Sequence, residues 1–308
     1  MESPKAAVYL SLVLTMLFWG LTFVFYKFAF ESFRPITVIF LRLIISVPFI
    51  VLSARLLKKM EKVERSDLLY VLMLSAFEPF LYFMGESYGL TFVSSTMAAV
   101  IVATIPLIVP VAAFIVYRER LNLLNKIGLM VSFSGVLAVV FSGEVQFGAT
   151  LKGALLMFMA VFSAVGYAIL VKRLTGKYNG FTITAYQNFF GIFMFLPFFL
   201  LVDFDTFRTT IPTLKAVIAL VYLAVFGSSI TFILFTRGVR ELGASRANIF
   251  TNLIPVFAAV ASFFLLNEAM PSLKIVGIVL VLIGLIMSQV KSVKLRKSQT
   301  PPTIQFPG

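Results

Sequence analysis

Ten apolar stretches follow one another along this chain with little between them. They run at about 6–28, 35–57, 67–88, 93–116, 124–141, 152–172, 181–202, 214–236, 245–266 and 273–290. A bilayer core of about 30 Å takes roughly 20 residues of helix. Backbone in lipid must satisfy its own hydrogen bonds, so each stretch is expected to be a membrane-spanning helix. No soluble domain fits between any two of them. The gap at Gly89, Leu90, Thr91 and Phe92 is the tightest, which predicts a close hairpin of the third and fourth helices. The first stretch does not read as a cleavable signal: it is too long, carries Lys27 at its far end and lacks a small-x-small site. The fold class expected is therefore an all-α integral membrane protein with ten transmembrane helices.

Composition agrees. Of 308 residues, 60% are hydrophobic and 13% charged, against about 45–50% and about 25% in soluble domains. There is no cysteine and no histidine. That removes disulfides, thiolate and Ser-His nucleophiles, and the usual zinc and haem ligands. The only aspartates, Asp67, Asp203 and Asp205, lie at or near helix ends, which argues against a membrane-buried aspartyl dyad. No enzyme, metal or cofactor is expected. The net charge of +13 is split among short loops, so it does not point to nucleic acid. Of the 26 Lys and Arg, 19 fall on the side of the N-terminus and the even-numbered loops, and 6 on the other, with Arg42 inside a helix. By the positive-inside rule both termini are expected in the cytoplasm, in a cytoplasmic membrane. The basic tail from Lys291 is expected to be disordered.

The two halves match at a constant offset of 149 residues. Pro106 aligns with Pro255, Glu119 with Glu268, Gly128 with Gly277 and Gly135 with Gly284; Gly89 aligns with Gly238 and Ala98 with Ala247. The order is the same each time: a proline inside a helix, a glutamate at its end, then two glycines in the next helix. This predicts repeats over 1–143 and 144–290, followed by a tail over 291–308. Five helices is an odd number, so the second half must lie inverted relative to the first. Inverted repeats are the build of secondary transporters, in which one half rocks against the other around a central site. No phosphate-cradling GxxxxGK[ST] loop is present, so active transport would draw on a gradient or on exchange.

Phe18-Trp19-Gly20, Leu41-Arg42 and the Pro106…Glu119…Gly128…Gly135 set with its copy resemble the drug/metabolite transporter superfamily, EamA type, over roughly residues 6–290. The resemblance implies ten helices around a cavity lined mainly by helices 1, 3, 4, 6, 8 and 9, and export of amino acids, other metabolites or drugs. The third stretch departs from that pattern by carrying two glutamates.

Charged groups in hydrocarbon usually face a cavity or a partner. Glu78, Tyr82 and Glu86 are spaced i, i+4, i+8 and share a helix face. Their counterparts in the second half are Gly227, Thr231 and Phe235, so the acidic face is not duplicated. Either glutamate can bind a substrate amine or exchange a proton, or can serve a structural ion pair or hydrogen bond. Arg42 can pair with Glu86 or Glu78, or grip a substrate carboxylate. A rough alignment sets Gln187 opposite Arg42; Gln187 and Asn188 can bond a solute or a neighbouring helix. Asn248, Asn252 and Pro255 share a face whose partner residues are Ala99, Ala103 and Pro106. Both prolines free a backbone carbonyl and bend the helix. Trp19, the only tryptophan, sits mid-membrane, as a wall of the pathway or in packing beside Gly20. Glu119 and Glu268 are read as structural, each placing negative charge just before the next helix begins.

The expected function is a multi-pass secondary transporter. It would move small polar metabolites such as amino acids, by export, with lipid and a small molecule as partners and with proton coupling open. The alternatives are a broad-specificity drug exporter and a non-transporting receptor or scaffold.

Overall fold

The structure is a computed structural model and describes residues 4–93, 95–119, 121–141, 150–266 and 269–290. Glu268 and the tail from Lys291 lie outside these residues. The ten helices are α1 (Pro4–Ala29), α2 (Pro35–Leu56), α3 (Leu68–Ser75 and Tyr82–Phe92), α4 (Ser95–Val102 and Ile105–Tyr117), α5 (Leu123–Phe141), α6 (Thr150–Thr175), α7 (Gly180–Phe198, continuing to Thr209), α8 (Leu214–Tyr222 and Thr231–Leu242), α9 (Ala244–Ile249 and Ile254–Leu266) and α10 (Ser272–Val290). Seven spans are long and apolar enough to cross a bilayer, and Ile105–Tyr117, Leu123–Ala138 and Ser272–Ser288 are shorter apolar helices.

The burial pattern is that of a lipid-solvated protein. Leu56, Leu201 and Phe264 are exposed, while Arg42, Ser46, Thr184, Asn188, Ser228 and Asn252 are buried. Lipid accepts apolar side chains, so polar groups gain by turning inward to one another.

The two halves pack against each other through equivalent helices. The pair α5 and α10 runs antiparallel and glycine to glycine. A Cβ on Gly128 would lie 2.6 Å from the carbonyl oxygen of Gly284, and one on Gly135 would lie 2.6 Å from that of Gly277. These are the four repeated motif glycines, each meeting the other member of its partner's pair. Such crossed contacts are what a two-fold axis in the membrane plane produces between inverted repeats. Asn125 donates to the carbonyl of Ser288, closing one end of the seam. The equivalent helices α2 and α7 also pack together, and α1 packs on α8 and α9 as α6 packs on α3 and α4.

Helices α3, α4, α8 and α9 are interrupted, two in each half, and α7 carries a further π-type turn at Phe199–Asp203 near its end. In α3 a π-type turn spans Ala76–Leu81, with Glu78 at φ −145°, ψ 116°. Proline lacks an N–H and disfavours helical geometry in the residue before it, which accounts for the break at Glu78. The carbonyl of Phe77 is taken up by Ser163 of α6. In α8 a matching π-type turn spans Leu223–Ile230 without proline. There Ser229 donates to the carbonyl of Ala224 at 2.8 Å, and Thr231 to that of Phe226 at 2.8 Å. The α4 break follows Val102, where Thr104 donates to the carbonyl of Ile101 at 2.6 Å. The α9 break is a 3-10 turn over Phe250–Leu253, and the helix resumes at Ile254 and Pro255.

Loop contacts tie each end of the bundle. On the N-terminal side, Glu119 accepts from the backbone N–H of Ser245 at 3.1 Å and from its hydroxyl at 2.6 Å, and pairs with Lys172. The glutamate therefore caps the start of α9, across the repeat boundary, rather than the helix that follows it in sequence. Gly243, at φ +87°, brings the chain round beneath this carboxylate. Nearby, Asp67 accepts from Lys177 at 2.8 Å and Tyr178 at 2.9 Å, and this carboxylate holds the Lys177 ammonium above its usual range. On the other side, Asp203 caps α2 through the N–H and hydroxyl of Thr37, both at 2.9 Å. Lys27 reaches the carbonyl of Leu90 at 2.9 Å, steadying the α3–α4 hairpin.

Candidate functional site

The interrupted segments surround one cavity at the meeting of the two halves. Helices α1, α2, α3, α4, α6, α8 and α9 contribute to its wall. Its volume is about 40 Å³, enough for roughly three waters and too little for an amino acid.

Trp19, Arg42, Glu78, Tyr82, Glu86 and Asn248 all line this cavity. The helix face read from the Glu78–Tyr82–Glu86 spacing is thus assembled on the wall, even though α3 is broken at Glu78. Tyr82 donates to Glu86 at 3.3 Å. Trp19 both lines the cavity and packs on Phe232 and Phe235, with ring centroids 5.4 and 5.1 Å apart. Gly20, beside it, lets α1 approach α9: a Cβ there would lie 2.7 Å from that of Phe257 and 3.0 Å from the carbonyl oxygen of Ile254.

Arg42 makes no ion pair within 4 Å among the described residues. Its Nε donates to Ser228 at 2.6 Å and its Nη1 donates to Tyr26. Its guanidinium carbon stands 4.0 Å from the centroid of Phe83. The charge is held by neutral acceptors and a ring face rather than by a carboxylate. Arginine suits this because its planar fork can donate in-plane and stack at once. Glu78 is buried in the cavity wall and makes no ion pair, and no group of three potential metal ligands occurs among the described residues.

Three of the expected pathway residues face elsewhere. Asn188 donates to Ser46 and to the carbonyl of Ser228, each at 2.8 Å, and so joins α2, α7 and α8. Gln187 is fully buried outside the lining, beside Tyr167 of α6. Asn252 donates to Ser132 of α5 at 2.8 Å. The tight 3-10 turn rotates the chain so that Thr251 faces the cavity in its place. Sequence reasoning also missed Thr22, Tyr26 and Tyr167. The first two are legible in retrospect, since Trp19, Thr22 and Tyr26 recur at i, i+3, i+7 on α1. Tyr167 stands alone on α6 and gives no such signal.

The EamA-like transporter family model matches residues 6–141 and 151–289. The chain belongs to the EamA-like transporter family. Relatives cover nearly its whole length. An uncharacterized transporter of Archaeoglobus fulgidus is 25% identical over 93% of this chain and 99% of its own. The uncharacterized transporter YcxC of Bacillus subtilis is 26% identical over 98% of each chain, and YetK of the same organism is 27% identical over 81% of this chain and 76% of its own. A crystal structure superposes with a TM-score of 0.78 at 14% identity, covering 93% of this chain and 99% of that one, which supports the fold alone. This EamA-like protein is accordingly a multi-pass membrane transporter with ten helices in two inverted five-helix repeats.

Proposed function

We propose that this transporter moves a small polar metabolite, an amino acid or related solute, outward across the cytoplasmic membrane by alternating access. The observation that carries the reading is the cavity. It lies where two inverted repeats meet, is walled in part by the interrupted helices α3, α4, α8 and α9, and draws its charged side chains, Arg42, Glu78 and Glu86, from one half only. Broken helices at a repeat interface place backbone and side-chain polar groups at the membrane midplane, where a solute must be stripped of water. The direction rests on the resemblance to exporters, and the placement of both termini in the cytoplasm rests on the loop charges. Coupling to a gradient or to exchange, with Glu78 as the candidate proton carrier, completes the scheme. No enzymatic step is assigned.

Mass spectrometry of the medium from bacteria expressing the wild type or Glu78→Gln tests this. A metabolite class that accumulates outside only with wild type supports export and a role for Glu78. Equal release from both strains removes Glu78 from the mechanism. An unchanged medium in both removes export of those metabolites. The aromatic wall of Trp19, Tyr82, Phe83 and Phe235 favours, as a second reading, a broad-specificity drug exporter. Accumulation of a lipophilic dye inside cells upon Glu78→Gln would select it.

A further inference from the structure

We propose that Nη2 of Arg42 is the subsite for the carboxylate of a zwitterionic solute, and that Gly227 keeps the approach to it open. The inference rests on the transport reading above and names the substrate class at that same cavity.

Arg42 lines the cavity, is only 2% exposed and has no carboxylate oxygen within 4 Å among the described residues. A charge so buried is costly unless it is partnered. Its guanidinium carries five N–H donors. Nε donates to Ser228 of α8, Nη1 donates to Tyr26 of α1, and the ring of Phe83 of α3 covers one face. Three helices thus fix the orientation of the fork. Nη2 meets no acceptor among the described residues. A held arginine with an unused end is suited to a carboxylate, whose two oxygens match the planar donors.

Nη2 lies where lining residues of α1, α2 and α8 meet. A Cβ on Gly227 would stand 3.1 Å from Nη2 and 2.9 Å from the methyl of Thr22, and Gly227 and Thr22 both line the cavity. The repeat offset of 149 makes Gly227 the counterpart of Glu78. A glutamate copied to position 227 would bring the protein's own carboxylate against the guanidinium. Glycine leaves that partner to be supplied by the solute. Room for roughly three waters suits a carboxylate group, while the rest of a solute needs the cavity to widen. Charge decides what that rest must carry. The lining holds one cation, Arg42, and two carboxylates, Glu78 and Glu86. A simple anion would add to the negative excess, whereas a zwitterion brings its own ammonium to the acidic wall of α3.

The full-length protein in detergent at neutral pH, titrated with norvaline, norvalinamide and butyrate, tests this through the fluorescence of Trp19, the only tryptophan and a lining residue. Norvalinamide keeps the amine and lacks the carboxylate; butyrate lacks the amine. The expected result is saturable binding of norvaline, roughly tenfold or more tighter than that of either analogue. Arg42→Gln should bring the ratio of norvaline to norvalinamide affinity close to one. Gly227→Ala keeps the charge and both anchors of Arg42 and should shrink the same ratio by crowding Nη2; it carries the test if Arg42→Gln does not fold. Either analogue binding as tightly as norvaline, no binding of norvaline, or an unchanged ratio in either folded variant overturns the subsite. The transport reading stands or falls separately, on whether export depends on Glu78: an exported solute without a carboxylate would refute only the subsite.

Discussion

Ser132 donates its hydroxyl to the carbonyl of Val281 at 3.3 Å, and Val281 is the residue 149 positions on, its own repeat partner. A residue that touches its symmetry mate lies at the two-fold axis. The α5–α10 seam therefore marks that axis, with Gly128 against Gly284 on one side of it and Gly135 against Gly277 on the other.

Substituting Gly128 by leucine should open this seam. A Cβ would stand 2.6 Å from both the carbonyl oxygen of Gly284 and the N of Ser288, backbone atoms that cannot step aside. The expected cost is about 1–3 kcal/mol, seen as earlier loss of the monodisperse peak on heating in detergent. Gly176→Ala is the control, since its nearest contact would be an ordinary 3.4 Å. Equal stability of the two variants would contradict the close packing.

Much of this fold is legible in the chain because lipid imposes a simple rule. A run of about twenty apolar residues has one stable conformation in a bilayer, so the ten helices and their inverted order follow from run length and repeat spacing. The site is less legible. Helical periodicity set Glu78, Tyr82 and Glu86 on one face, and that face lines the cavity, yet it assigned Asn252 to the same cavity by assuming an unbroken α9. One 3-10 turn was enough to exchange Asn252 for Thr251. The choice of Arg42 partners failed for a related reason. Ser228 and Tyr26 come from α8 and α1, and no local spacing links them to α2.

The absence of cysteine makes the exchange at α9 directly testable. Thr251→Cys should react with a small methanethiosulfonate reagent that reaches the cavity, and Asn252→Cys should react far more slowly. Mass spectrometry of the intact protein after labelling measures both. Faster labelling at 252 would restore the unbroken-helix geometry.

Ser228→Ala removes the acceptor of Arg42 Nε. A bond to a buried charged group contributes about 1.5–3 kcal/mol, so thermal stability should fall by several degrees. Adding Tyr26→Phe should cost less than the sum of the separate changes, because the two acceptors hold one guanidinium. A strictly additive double-mutant cycle would show that they act independently.

Glu119→Ala should loosen the N-terminal side by removing the cap on α9 and the partner of Lys172. The expected loss is about 1–2 kcal/mol. Glu119→Gln retains an acceptor oxygen for Ser245 and should lose less. Limited proteolysis between α8 and α9, near Gly243, should rank the three proteins in that order. A glutamine variant as labile as the alanine one would assign the effect to the lost charge on Lys172.

The acidic face on α3 without a copy on α8 bears on energetics as well as recognition. Exact inverted repeats would exchange roles as access alternates, and the inward-open and outward-open forms would be equal in energy. Two carboxylates confined to one half remove that degeneracy. Under alternating access the empty carrier would rest preferentially toward one compartment, and any net charge that moves with α3 would make the resting bias respond to membrane voltage.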